Sequence, residues 1–151
     1  MSRAFVKESE DEADLPDRPV SPHPNLVTPE GLAALEAKVA AWREAYAAAQ
    51  RAEDRAALAR AARELRYWTA RRGSAQPTAP AESDTVRFGS TVSIERVDGR
   101  RQTYRLVGED EADPAQGTIS YASPLARAMI GKGEGDTVAV AGDTVEITGV
   151  A

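Results

Sequence analysis

Few side chains in this sequence are equipped for chemistry. Glu53 and Asp54, adjacent in AAAQRAEDRAAL, are the one carboxylate pair placed to share a divalent cation through oxygen. Acids in the first turn of a helix also serve simply to complement its dipole, and that is the role expected of them. His23 stands between Pro22 and Pro24 with no neighbouring acid or second ligand, so neither metal binding nor proton transfer is expected of it. The run GKGEGD is glycine-rich, yet it follows a helical pattern instead of a strand and lacks the Lys-Ser/Thr of a phosphate loop, which makes it a turn. The absence of Cys excludes a disulfide framework, a thiol nucleophile and a thiolate zinc site, and a single His excludes a multi-His metal cluster. The run EDEAD, 109–113, is expected to be a solvated loop. Arg51, Arg55, Arg60, Arg63 and Arg66, interrupted by Glu64, form a solvated face that can also steer the molecule electrostatically. No catalytic residue, metal site or cofactor is expected.

The elements that carry these residues follow from composition and period. In 151 residues, 42% hydrophobic and 28% charged, there is room for one domain with an appendage. A net charge of −5 argues against coating nucleic acid by phosphate neutralisation. No apolar run approaches the ~20 residues of a membrane span, and no signal-peptide core follows Met1, so a soluble cytoplasmic protein with no membrane contact is expected. Residues 1–27, with six acids against three bases and four prolines, have too little apolar mass to offset the entropy of ordering them and are expected to be a disordered arm. A second low-complexity stretch, GSAQPTAPAES, marks a linker over 74–83.

Between arm and linker, Leu32, Leu35, Val39, Trp42, Tyr46 and Ala49 keep a strict alternation of three and four, an a/d seam. Thr28 is suited to the N-cap and Pro29 to the first helical position. Leu58, Ala61, Leu65 and Trp68 repeat the spacing, with Arg71 and Arg72 at the negative helix end and Gly73 placed to stop it. Residues 28–73 therefore read as an antiparallel hairpin turning near 50–54, with arms of about 33 Å at ~1.5 Å per residue. The alternative is one long helix that dimerises between chains. From Val86 the period becomes two. Strands flank the Asp98-Gly99 turn, a short strand lies at 118–121, SPLARAMIGKG is a short helix, and DTVAV pairs with TVEITGV. Residues 84–151 thus form a small, mostly antiparallel sheet with one helix, and the fold class is α+β.

The runs VRFGSTVSIE, YRLVGEDEAD, GTIS and SPLARAMIGKGEGD resemble the C-terminal domain of the GreA/GreB transcript-cleavage factors, and LVTPEGLAALEAKV resembles the start of that family's coiled coil. The resemblance implies an FKBP-like C-terminal fold that docks on bacterial RNA polymerase at the secondary channel, through Ser123, Pro124, Leu125, Ala126, Arg127, Met129, Ile130, Gly131 and Lys132. It implies a coiled coil entering the channel and at most indirect contact with DNA or RNA in the elongation complex; a monomer is expected, with the coiled-coil dimer as its alternative. Family hairpins end in an acidic Gly-Asp-x-x-Glu-Asn-like turn that helps hold a second Mg²⁺. Here only Glu53 and Asp54 occupy that region, on arms two or three turns short, so regulation of elongation without strong cleavage stimulation is expected. The similarity also extends to the short-hairpin proteins named nucleoside diphosphate kinase regulators. A peptidyl-prolyl isomerase on the same fold would need an aromatic-walled pocket, and residues 84–151 offer only Phe88, Tyr104 and Tyr121.

Overall fold

The computed structural model describes residues 15–151; the part of the expected disordered arm that falls on 1–14 lies outside the described residues. Two compact units result, one made of 33–74 with the stretch up to Pro22, the other of 23–32 and 75–151. In chain order the elements are β1 (Leu26–Val27), α1 (Pro29–Ala52), α2 (Arg55–Ser74), β2 (Gln76–Pro77), β3 (Thr91–Arg96), β4 (Arg101–Val107), β5 (Thr118–Ser120), α3 (Pro124–Met129), β6 (Thr137–Val140) and β7 (Asp143–Val150). No described helix is long and apolar enough to cross a membrane.

In the first unit the helix breaks at 53–54, which decides between a hairpin and one long helix. The break is a Schellman closure: Asp54 N–H donates to the Ala49 carbonyl at 3.1 Å, and Glu53 N–H to that of Gln50 at 3.2 Å. Lys38 Nζ then lies 5.4 Å from the centre of the Trp68 ring, and these positions are equidistant in sequence from Glu53, as antiparallel arms require. Leu35, Val39, Ala49 and Ala61 of the seam are buried, and Leu32, Trp42, Tyr46, Leu58, Leu65 and Trp68 are half-buried. Arg71 and Arg72 lie in the last turn of α2 as expected, with Arg71 only 1% exposed, and one detail differs: Gly73 does not stop α2, which continues to Ser74.

The stretch 15–18 lies against α2. Arg18 stacks over Tyr67, 3.8 Å from its ring centre, and donates to Glu64 at 2.7 Å. Asp17 pairs with Arg66, whose Nη2 also donates to the Leu15 carbonyl at 3.0 Å. Charge complementarity and a cation–π contact hold this segment.

The second unit is built on a five-stranded sheet in the order β5-β4-β3-β7-β6, antiparallel except for the β4–β5 pair. Alternation puts Val92 and Ile94 of β3, and Val145 and Ile147 of β7, on one face. There they form a continuous core with Val86, Leu106, Ile119, Val138 and, from α3, Ala126 and Met129. A bulge between Ser93 and Ile94 shifts the register against β7. The β6–β7 turn places both Ala141 and Gly142 at positive φ, 51° and 79°, the two-residue geometry that matches strand twist.

Two segments assigned from sequence to the arm and the linker each hold a short strand. Leu26–Val27 pairs in parallel with Gln76–Pro77, Asn25 and Val27 are buried, and the Asn25 carbonyl accepts from Gln76 N–H at 2.8 Å.

Candidate functional site

The two places marked by sequence are the helical turn and the 123–132 segment, and they lie in different units. At the turn both carboxylates are exposed. Glu53 occupies the left-handed position of the Schellman closure, with φ 53°, where glycine is the usual residue. Asp54 is the N-cap of α2, its Oδ1 accepting from Ala57 N–H at 3.1 Å. The acids are thus a helix end and a helix start, and only Asp54 performs the first-turn role expected of both. Asp54 Oδ1 is engaged by the cap, while Asp54 Oδ2 and the Glu53 carboxylate face solvent. Among the described residues no group of three or more His, Cys, Asp or Glu is placed to hold a metal ion.

The 123–132 segment is set rigidly on the sheet. Ser123 caps α3, its Oγ accepting from Ala126 N–H at 3.4 Å, and Pro124 takes the first helical position. Ala126 and Met129 are fully buried in the core. Beyond the helix Gly131, at φ 87°, turns the chain back so that its N–H donates to the Val86 carbonyl at 2.8 Å, while Val86 N–H donates to the Lys132 carbonyl at 2.8 Å. The nine residues therefore divide. Ala126 and Met129 anchor, Ser123 and Gly131 shape the backbone, and Leu125 is half-buried. Pro124, Arg127, Ile130 and Lys132 face water, with Ile130 40% exposed.

Sequence reasoning missed Glu111. Expected in a solvated loop, its carboxylate accepts from Thr28 N–H at 2.9 Å, from Gly108 N–H at 3.2 Å and from the Thr28 hydroxyl. Thr28 Oγ1 in turn accepts from Gly31 N–H at 3.0 Å, so Thr28 is the expected N-cap and Glu111 a second cap over it. A Cβ on Gly108 would stand 2.5 Å from the Leu26 carbonyl oxygen, so that glycine is required by the close approach of backbone, whereas one on Gly31 would meet only the end of the Glu111 side chain. The Tyr121 hydroxyl donates to the Pro24 carbonyl, and Arg105 pairs with Glu30 at 3.6 Å. Glu30's carboxyl is held below its ordinary range, first by its own backbone N–H, with Thr28 and Arg105 adding to the effect. The signal available in sequence was only Thr28 as a cap; nothing local links it to position 111. Phe88 and Tyr121 meet edge to face at 5.6 Å, the aromatic pair of this unit.

Residues 80–150 match the family described as "Transcription elongation factor, GreA/GreB, C-term". The Transcription elongation factor GreA of Hyphomonas neptunium is 63% identical over 57 residues, covering 37% of this chain and 36% of that protein. The Transcription elongation factor GreB of Neisseria meningitidis is 47% identical over 79 residues, covering 50% of this chain and 48% of that protein. The chain therefore spans half or less of the length of these relatives. The crystal structure of GreA factor homolog 1 (Gfh1) of Thermus thermophilus superposes over 85% of this chain and 99% of that one, with 18% identity and a TM-score of 0.42.

Proposed function

We propose, from the match of residues 80–150 to the C-terminal domain of the GreA/GreB factors, that the chain is a Gre-like regulator of transcription elongation. It acts in the cytoplasm as a monomeric binding factor, not an enzyme, and its partner is bacterial RNA polymerase at the secondary channel. DNA and RNA are met only indirectly, inside the elongation complex. The sheet of the second unit, with α3 packed on it, is read as FKBP-like.

The observation that carries this reading is the pinned surface of Pro124, Arg127, Ile130 and Lys132, which lies inside the matched residues and has its anchoring side chains buried in the core. Strong stimulation of transcript cleavage is not part of the proposed function. The turn carries Glu53 in a left-handed helix closure and Asp54 in a cap, in place of the acidic Gly-Asp-x-x-Glu-Asn-like turn of the family's hairpins. Occupancy of the channel rim is the activity that remains.

The test uses the full chain with purified polymerase. Arg127→Glu reverses an exposed charge without touching the core, and affinity is expected to fall about tenfold, the scale of one lost interfacial charge contact. An unchanged dissociation constant would remove this surface from the interface. On a stalled complex the chain should suppress cleavage driven by an authentic GreA. Robust stimulation by the wild type, abolished in Glu53→Ala/Asp54→Ala, would restore a metal-holding turn.

A further inference from the structure

The contacts of 15–18 have a direction. Arg18 sits at Glu64 and Tyr67, Asp17 at Arg66, and Leu15 already lines a recess shared with Asp54, Ala56, Ala57, Arg60 and Arg63. Followed backward from 18 to 15, the chain thus travels along α2 toward its start. The sequence before Leu15 is ESEDEAD, residues 8–14, with five carboxylates in seven positions. The start of α2 is its opposite. Arg55 and Arg60 are exposed with no ion pair to a described residue, and Arg63 Nε is buried without a hydrogen-bond partner among the described residues. Reach is ample: seven residues extend up to ~23 Å at ~3.3 Å each, and Arg55 to Arg60 spans only ~7.5 Å of helix.

We propose that the basic face formed by Arg55, Arg60 and Arg63 is the seat of this chain's own acidic segment, residues 8–14, delivered there by the clasp at 15–18. The clasp makes docking intramolecular, so weak exposed charge pairs act at a high effective concentration. The arm is then a built-in competitor. Any acidic surface approaching the start of α2 must displace it, and salt releases it because the pairs are exposed. The proposal does not depend on which partner the hairpin meets.

The chain has no cysteine, so Ser9→Cys gives a single attachment point for a nitroxide. In the full ¹⁵N-labelled chain at low salt, amide signals of 55–63 are expected to lose at least half their intensity, and to recover at about 0.5 M salt, where the Debye length is only a few Å. Arg55→Glu/Arg60→Glu, two exposed positions outside the clasp, should abolish the loss while the remaining spectrum is kept. Arg18→Ala should weaken it several-fold by loosening the tether. Unattenuated signals at low salt would overturn the proposal, as would attenuation indifferent to Arg55→Glu/Arg60→Glu. Equal attenuation when the nitroxide chain is mixed with a separate unmodified ¹⁵N chain would assign the face to a second copy and equally overturn it.

Discussion

The two units are held together by different physics. The sheet unit has a continuous apolar core in which Val92, Ile94, Leu106, Met129, Val145 and Ile147 are 0–1% exposed. The helical unit buries Leu35, Val39 and three alanines, leaves its larger seam residues half-exposed, and is dressed by ion pairs and a guanidinium stacked on Tyr67. Apolar burial scales with area and is not screened by salt as charge pairs are, whereas exposed ion pairs are weak and screened. One unit is thus a fixed platform, and the other responds to ionic conditions.

The contrast breaks most sharply at Leu106, which is 0% exposed. Leu106→Ala should cost about 2–5 kcal/mol of the sheet unit's stability, read by chemical denaturation of the full chain followed at sheet amides. A loss below 1 kcal/mol would mean that the core collapses around the deletion and is not a tight platform. Next in size is Glu111→Ala, which leaves the Thr28 and Gly108 N–H groups without their acceptor and should cost about 1–3 kcal/mol. Hydrogen exchange at Thr28 should accelerate accordingly, and Glu111→Gln, which keeps one acceptor oxygen, should lose less.

In the helical unit the sign reverses at Glu53. Glu53→Gly removes the cost of a left-handed backbone and should stabilise the hairpin by about 1 kcal/mol, whereas Glu53→Ala should leave it nearly unchanged. If both substitutions act alike in a thermal melt, the side chain and not the backbone decides that position. The smallest effect is electrostatic. Glu30's depressed pKa contributes stability that is present above the ordinary value of 4.5 and is lost as pH falls through the folded value. A carbon-detected titration should place its midpoint below 4.5, and Arg105→Ala should raise it only part of the way, since Glu30's own N–H is the larger cause.

The sheet unit was almost wholly legible because alternation, the Asp98-Gly99 turn and the Ser123-Pro124 start are local signals, each encoded within a few residues. The seam residues and the hairpin turn were legible for the same reason. What escaped is long-range. Glu111 looks like any acid in an acidic loop until the fold brings Thr28 beside it, and two-residue strands such as Leu26–Val27 are too short to show a period. Arg71 was correctly placed in the last turn of α2, but its burial comes from tertiary packing that the local sequence does not show. Within 123–132 the inward packing of Met129 and the outward Arg127 follow from helical spacing, whereas the burial of Ala126 depends on the core beneath α3.

The parallel pairing of Leu26–Val27 with Gln76–Pro77 brings together the chain just before α1 and just after α2. Everything between them is a closed excursion that departs and returns at one fixed doorway. Its length is therefore a free parameter: adding whole turns in equal number to both helices would keep the doorway's register and every bond of the sheet unit. Such a layout allows the reach of the hairpin to be altered by insertion or deletion without renegotiating the platform that bears it.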